Sequence, residues 1–127
     1  MSKARLIFVV DDDPFITKLV EKRLTPEGYR VMTFDYGEDC LRELGRDPDL
    51  IILDYLFHRT GGEVMNGMAV LDRIKSARPD VPVIMLSGQD KGEVVLELAR
   101  KGIEDYVIKD NNLIENLNTS VRDILSR

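Results

Sequence analysis

The strongest constraint on the fold is a regular alternation of short apolar runs with longer segments of helical spacing. The apolar runs are continuous and rich in β-branched residues, which is typical of strands buried in a parallel sheet. They predict strands over 5–10, 30–34, 50–53, 81–86 and 105–108. The segments that follow them predict helices over 14–24, 37–44, 66–77, 90–101 and 113–125. Five successive β–α units indicate an α/β fold with a parallel five-stranded sheet and helices on both faces.

The length and composition are those of one globular domain, which we expect to span residues 1–127. A chain of 127 residues that is 43% apolar and 32% charged can bury one hydrophobic core. No apolar run approaches the ~20 residues that span a bilayer, and the start of the chain does not have the pattern of a signal peptide. These features predict a cytoplasmic protein that does not associate with membranes.

Residue counts exclude several kinds of site. Cys40 and His58 are the single cysteine and the single histidine, so an internal disulfide or a metal site of several Cys or His ligands cannot form. The net charge of −5 argues against direct nucleic-acid binding, because phosphate contacts need clustered Lys and Arg.

Chemically useful side chains follow four of the five predicted strands. They are Asp11, Asp12 and Asp13 after the first strand, Asp54 after the third, Ser87 after the fourth and Lys109 after the fifth. In an open parallel sheet, ligands bind beyond the carboxyl ends of the strands, which lie along one edge. The sequence therefore predicts a site that contains several carboxylates, one hydroxyl and one ammonium group.

Carboxylates gathered at one edge repel one another unless some are protonated or a cation binds between them. Oxygen ligands without His or Cys favour a hard divalent ion such as Mg²⁺ or Mn²⁺, which also binds phosphate oxygens. Beside such an ion, Asp54 would be placed to attack a phosphoryl group in line. Lys109 and Ser87 would then neutralise and hydrogen-bond its oxygens.

Each of these residues also has a structural explanation. Asp13 before Pro14 is best explained as a helix N-cap. A solvated turn could account for Asp11 and Asp12, and ordinary loop chemistry could account for Asp54, Ser87 and Lys109 taken singly. Tyr106 could be a packing aromatic or a functional one. The joint arrangement at four strand ends is what favours a functional site.

Four motifs in this sequence resemble those of the response regulator receiver domain, and together they cover nearly the whole chain. They are IFVVDDDP at 7–14, PDLIILD at 48–54, VIMLSG at 83–88 and GIEDYVIK at 102–109. The resemblance implies a flavodoxin-like (βα)5 three-layer sandwich with strand order 2-1-3-4-5. It also implies a switch in two-component or phosphorelay signalling rather than an enzyme.

The resemblance assigns a role to each candidate residue. It implies that Asp54 accepts the phosphoryl group and is a ligand of Mg²⁺ or Mn²⁺, that Asp12 is a direct ligand and that Asp11 acts mainly through metal-bound water. The backbone carbonyl of Leu56 would be the remaining protein ligand. Ser87 would be the switch hydroxyl, Lys109 the phosphate-binding lysine and Tyr106 the switch aromatic.

The resemblance also implies partners. A sensor histidine kinase, a histidine phosphotransfer protein or a small phosphodonor would supply the phosphoryl group. Phosphorylation would change the surface formed by the fourth helix, fifth strand and fifth helix, and so control an unidentified output partner or a homodimer. Residues at the Leu56 and Gln89 positions would tune the lifetime of the phosphoryl group.

Two departures from the family pattern stand out. The connection over residues 55–65 is long, with His58 and Arg59 at a solvated tip, so that Asn66-Gly67 comes late. Asp110 stands where the family usually has a proline after its lysine. A non-proline cis bond is costly, so we expect a trans peptide bond before Asp110.

Three other functions fit parts of the pattern. A receiver-like interaction module that is never phosphorylated would share the fold. A haloacid dehalogenase-like phosphatase would use Asp11 as its nucleophile and Asp13 as its acid, which would leave Asp54 without a role. A flavodoxin-like FMN carrier is disfavoured, because three acids after the first strand would repel the FMN phosphate.

Overall fold

The computed structural model describes residues 4–55, 65–88 and 92–127, and contains one parallel sheet of five strands. The strands are β1 (Leu6–Val10), β2 (Arg30–Phe34), β3 (Leu50–Asp54), β4 (Val83–Ser87) and β5 (Asp105–Ile108). Their order is β2-β1-β3-β4-β5, which confirms the flavodoxin-like order implied by the resemblance. The three central strands β1, β3 and β4 are buried along their whole length.

In the residues that the structure describes, five α-helices cover the sheet. They are α1 (Pro14–Leu24), α2 (Gly37–Arg42), α3 (Gly67–Ala77), α4 (Gly92–Arg100) and α5 (Leu113–Leu125). Short 3₁₀ turns follow α1 at Thr25–Glu27 and α2 at Leu44–Arg46, so the second helix is shorter than predicted. Within the described ranges, no helix is long and apolar enough to cross a membrane.

The strand β4 begins two residues later than its apolar run predicts. Val81 is buried, but its backbone N–H donates to the Arg78 carbonyl at 3.2 Å in a turn. Pro82 has no N–H to donate to a neighbouring strand. The apolar run therefore continues into a packed turn, and the ladder starts only at Val83.

Alternate strand residues build two separate cores, one on each face of the sheet. Phe8, Ile51 and Met85 face the layer that contains Cys40 and the inner side of α3. Ile7 and Ile52 face the layer formed by α1 and α5. Burial raises the pKa of the Cys40 thiol to about 12, so this thiol stays protonated near neutral pH and is not a nucleophile.

Candidate functional site

The site residues are held by backbone hydrogen bonds at the carboxyl edge of the sheet. Asp11 directly follows β1, and its N–H donates to the Phe34 carbonyl at 3.0 Å. Asp54 and Ser87 are the last residues of β3 and β4. Lys109 directly follows β5, and its N–H donates to the Ser87 carbonyl at 2.8 Å. The parallel ladder thus brings residues that are distant in sequence to one place, as predicted.

Three carboxylates converge there. One oxygen each from Asp11, Asp12 and Asp54 lie within 4.8 Å of one another. Asp11 is fully buried and Asp54 is 3% exposed, whereas Asp12 is half-buried. Asp13 is exposed and accepts a hydrogen bond from the Phe15 N–H at 2.9 Å, which confirms that it caps α1.

The ammonium group of Lys109 bridges two of these carboxylates. Its Nζ lies 2.7 Å from Asp11 Oδ2 and 2.9 Å from Asp54 Oδ1. Burial by itself would lower the pKa of Lys109, but the two carboxylates outweigh it and raise the pKa above its usual value. Lys109 is therefore a permanent positive charge between the two buried acids.

The cost of burying the Asp11 carboxylate is only partly compensated by its partners. Burial raises the pKa of its carboxyl group, although the Lys109 ammonium and the Asp13 N–H, which donates to Oδ1 at 2.9 Å, oppose that effect. Beyond the ion pair with Lys109, Oδ2 makes no well-directed hydrogen bond within the part of the chain that the structure describes. A buried oxygen of this kind is suited to binding a cation.

The donor set therefore fits a hard divalent ion. It consists of three carboxylates close together, without His or Cys, and the buried Asp11 Oδ2 has Lys109 as its charged partner within the described residues. Oxygen donors of this kind suit Mg²⁺ or Mn²⁺. The Leu56 carbonyl lies outside the described residues, as do His58, Arg59 and Gln89, so their predicted roles stay predictions.

Ser87 and Tyr106 occupy neighbouring strands. Ser87 is 5% exposed at the end of β4. Tyr106 in β5 is half-buried and packs against the core on the face that carries α3 and α4. In the register of the two strands, Tyr106 lies opposite Met85, two residues before Ser87. The predicted switch residues are thus close in the fold, on strands that are directly hydrogen-bonded.

The N-terminus of α3 packs directly on the backbone that carries Asp54. The Gly67 N–H donates to the Tyr55 carbonyl at 2.8 Å. A Cβ atom at Gly67 would lie 2.5 Å from the Asp54 carbonyl oxygen and 2.6 Å from Tyr55 Cα. Tyr55, which directly follows β3, and Gly67, which begins α3, therefore meet beside the site. In the sequence, Asn66-Gly67 stands out only as a motif that comes late, and its position along the chain does not predict this contact.

Comparisons with known proteins decide the family. The response regulator receiver domain family matches residues 7–122. This chain belongs to that family. The receiver domain is 36% identical over 107 residues to the nitrogen assimilation regulatory protein NtrX of Azorhizobium caulinodans, a match that covers 84% of this chain and 23% of NtrX. It therefore spans less than a quarter of that relative's length.

Solved receiver domains have the same fold. The signal receiver domain of a putative LuxO repressor from Vibrio parahaemolyticus superimposes with a TM-score of 0.86 at 28% identity, covering 98% of this chain and 92% of that one. The BeF3-activated receiver domain of DrrB, a Thermotoga maritima protein, superimposes with a TM-score of 0.85 at 34% identity, covering 98% and 99%. Receiver domains are signalling modules of two-component response regulators; they bind Mg²⁺ at an acidic pocket and are phosphorylated by histidine kinases.

Proposed function

We propose that this receiver domain accepts a phosphoryl group on Asp54 from a histidine kinase or a histidine phosphotransfer protein. The observation that carries the proposal is the convergence of Asp54 with Asp11, Asp12 and Lys109 at one edge of the sheet. An oxygen of Asp54 lies beside the Lys109 ammonium, and a carboxylate oxygen can act as a nucleophile toward phosphorus. The domain would be a switch that at most promotes its own phosphorylation and dephosphorylation.

The transfer would be an in-line displacement. An oxygen of Asp54 attacks the phosphorus of a phosphohistidine, the P–N bond breaks, and the imidazole leaves with its electron pair and takes up a proton. The product is an aspartyl phosphate on Asp54. Phosphorylation adds about −1.5 to −2 charges. Lys109, whose Nζ lies 2.9 Å from Asp54 Oδ1, is placed to balance part of that charge.

Asp11, Asp12 and Asp54 would hold the metal ion, with the Leu56 carbonyl as a further ligand. When bound, Mg²⁺ supplies positive charge that offsets the negative charge of the transferring group. The carboxylates by themselves would repel an anionic phosphodonor, so we expect transfer to require the ion.

The conformational response would start at Ser87. Its hydroxyl group would move to hydrogen-bond the new phosphoryl oxygens, and Tyr106 would fill the space that Ser87 leaves. The Lys109 N–H donates to the Ser87 carbonyl at 2.8 Å. This hydrogen bond links the two residues that would bind the phosphate. The surface of α4, β5 and α5 would then favour a second arrangement that an output partner or a second copy recognises.

The rival enzyme function is less compatible with the geometry. A haloacid dehalogenase-like phosphatase would need Asp11 as its nucleophile. Asp11 is fully buried, and its two oxygens face the Asp13 N–H and the Lys109 ammonium. Asp13, the acid of that mechanism, is engaged as the cap of α1. The proposed switch would operate in the cytoplasm, the location that the sequence predicts.

Metal removal provides the first test. We expect radiolabelled acetyl phosphate to label the domain in millimolar Mg²⁺, and excess EDTA to lower the initial rate by roughly 100-fold, the order found when one charge-stabilising group of a transition state is lost. Asp12→Asn should impair labelling in Mg²⁺. Asp39→Asn is the matched control, because that acid pairs with Arg42 at the surface, and it should label normally. Full labelling in EDTA would contradict the metal-dependent account.

A further inference from the structure

The loop between β5 and α5 is organised around Asp110. Its backbone N–H donates to the Ile108 carbonyl at 2.9 Å, and its carbonyl accepts a hydrogen bond from the Leu113 N–H at 3.1 Å. Its side-chain Oδ1 accepts a further hydrogen bond from the Asn112 N–H at 2.8 Å. Every peptide bond that the structure describes is trans, including the one before Asp110, as expected. A proline at this position could not make the first of these bonds.

These bonds enclose Lys109. The bond from Asp110 to Ile108 closes a three-residue turn with Lys109 at its centre. The Lys109 N–H is itself bonded to Ser87 at the end of β4. The bond from Asp110 Oδ1 to Asn112 is an Asx turn that joins this turn to α5. The backbone of Lys109 is therefore fixed on both sides.

The fixed backbone matters because the Lys109 side chain has to hold its ammonium group against two carboxylates. Lys109 is long and has many rotamers, yet its Nζ contacts both Asp11 and Asp54, and its side chain is only 22% exposed. Ordering a lysine side chain costs conformational entropy. When the backbone of Lys109 is held in place, fewer conformations have to be given up for its ammonium group to contact both carboxylates.

We propose that the Asp110 carboxylate is a positioning residue for Lys109. By accepting the Asn112 N–H it closes the β5–α5 loop in the form that keeps the ammonium group between Asp11 and Asp54. Its contribution to phosphoryl transfer rests on the function proposed for Lys109 above. The role needs a hydrogen-bond acceptor and not a negative charge, so asparagine should replace Asp110 and alanine should not.

Chemical accessibility of Lys109 tests the positioning directly. Reductive methylation, followed by mass spectrometry, should modify Lys109 about fivefold faster in Asp110→Ala than in the parent, the ratio that corresponds to one lost hydrogen bond. In Asp110→Asn the rate should stay within about twofold of the parent. Lys101 is the matched internal control, because its Nζ pairs with Asp72 at 3.0 Å and its side chain is 29% exposed. Its rate should not change in either variant.

Methylation of Lys109 tests its positioning by Asp110, and labelling by acetyl phosphate tests the part of Lys109 in phosphoryl transfer. Unchanged methylation of Lys109 in Asp110→Ala, equal acceleration of Lys101, or an asparagine variant as reactive as the alanine variant would each overturn the positioning role. Labelling by acetyl phosphate in Mg²⁺ should fall about fivefold in Asp110→Ala and should not fall in Asp110→Asn. Faster methylation with unchanged labelling would uphold the positioning of Lys109 and contradict its proposed part in phosphoryl transfer.

Discussion

An Asp54→Asn variant is expected to lose phosphorylation, with labelling by acetyl phosphate in Mg²⁺ falling to about 1% of the parent or less. The amide oxygen carries no charge and is a poor nucleophile. Asparagine has the same shape as aspartate, so the end of β3 should keep its place. Because Asp54 is buried beside two other acids, removing its charge relieves repulsion, and Lys109 keeps Asp11 as a partner. We expect the free energy of unfolding to change by no more than about 1 kcal/mol.

Asp13→Asn is the matched control for this variant. It makes the same substitution at an acid only two residues from Asp11, but Asp13 is exposed and caps α1. Asparagine caps helices about as well as aspartate, so both labelling and stability should be retained. Equal labelling of Asp54→Asn and Asp13→Asn would show that Asp54 is not the phosphoacceptor. Partner binding and signalling unaffected by Asp54→Asn would favour an interaction module that is never phosphorylated.

A Gly67→Ala variant is expected to be destabilised by about 3 kcal/mol, at the upper end of what overpacking costs. The added methyl group would lie 2.5 Å from the Asp54 carbonyl oxygen and 2.6 Å from Tyr55 Cα. Both atoms belong to the backbone, so no change of rotamer can relieve the overlap. Either α3 must move away from the sheet or the end of β3 must shift, and a shift would displace the proposed phosphoacceptor. Thermal and urea unfolding followed by circular dichroism measure the effect.

Gly92→Ala provides the comparison. Gly67 and Gly92 are both the first residues of their helices, α3 and α4, but in the described ranges no atom beyond the neighbouring residues and the helix's own backbone lies within 4 Å of a Cβ at Gly92. Alanine is a better helix former than glycine, so this variant should be as stable as the parent or more stable by up to about 1 kcal/mol. Equal stabilities of the Gly67→Ala and Gly92→Ala variants would refute the close contact between α3 and Asp54.

The same glycines show where sequence reasoning stops. Gly37, Gly67 and Gly92 each begin a helix, and the sequence around them does not show how closely each one packs. In the fold, a Cβ at Gly37 would meet the side chain of Val70, one at Gly67 would meet backbone, and one at Gly92 would meet no other part of the chain that the structure describes. These differences depend on how closely two elements approach, and periodicity carries no information about that distance.

The candidate site, by contrast, could be predicted in large part. Alternating strands and helices require a parallel sheet, and a parallel sheet places every strand's carboxyl end at one edge. That rule is enough to bring Asp11, Asp54, Ser87 and Lys109 together. It does not reveal that the Lys109 ammonium contacts both buried acids, because that depends on the rotamer of a long side chain and the turn around it. For the same reason, the sequence does not reveal the hydrogen bonds that Asp110 makes in that turn.

The central claim is that Asp54 is the residue that accepts the phosphoryl group, and locating the modification tests it most directly. The domain would be phosphorylated in Mg²⁺ by acetyl phosphate or a phosphorylated kinase, and the acyl phosphate reduced with borohydride, which converts the modified aspartate to homoserine. Peptide mass spectrometry then identifies the position. We expect homoserine at Asp54, and none at Asp11, Asp12 or Asp13. Homoserine at Asp11, with Asp54 unchanged, would contradict the account.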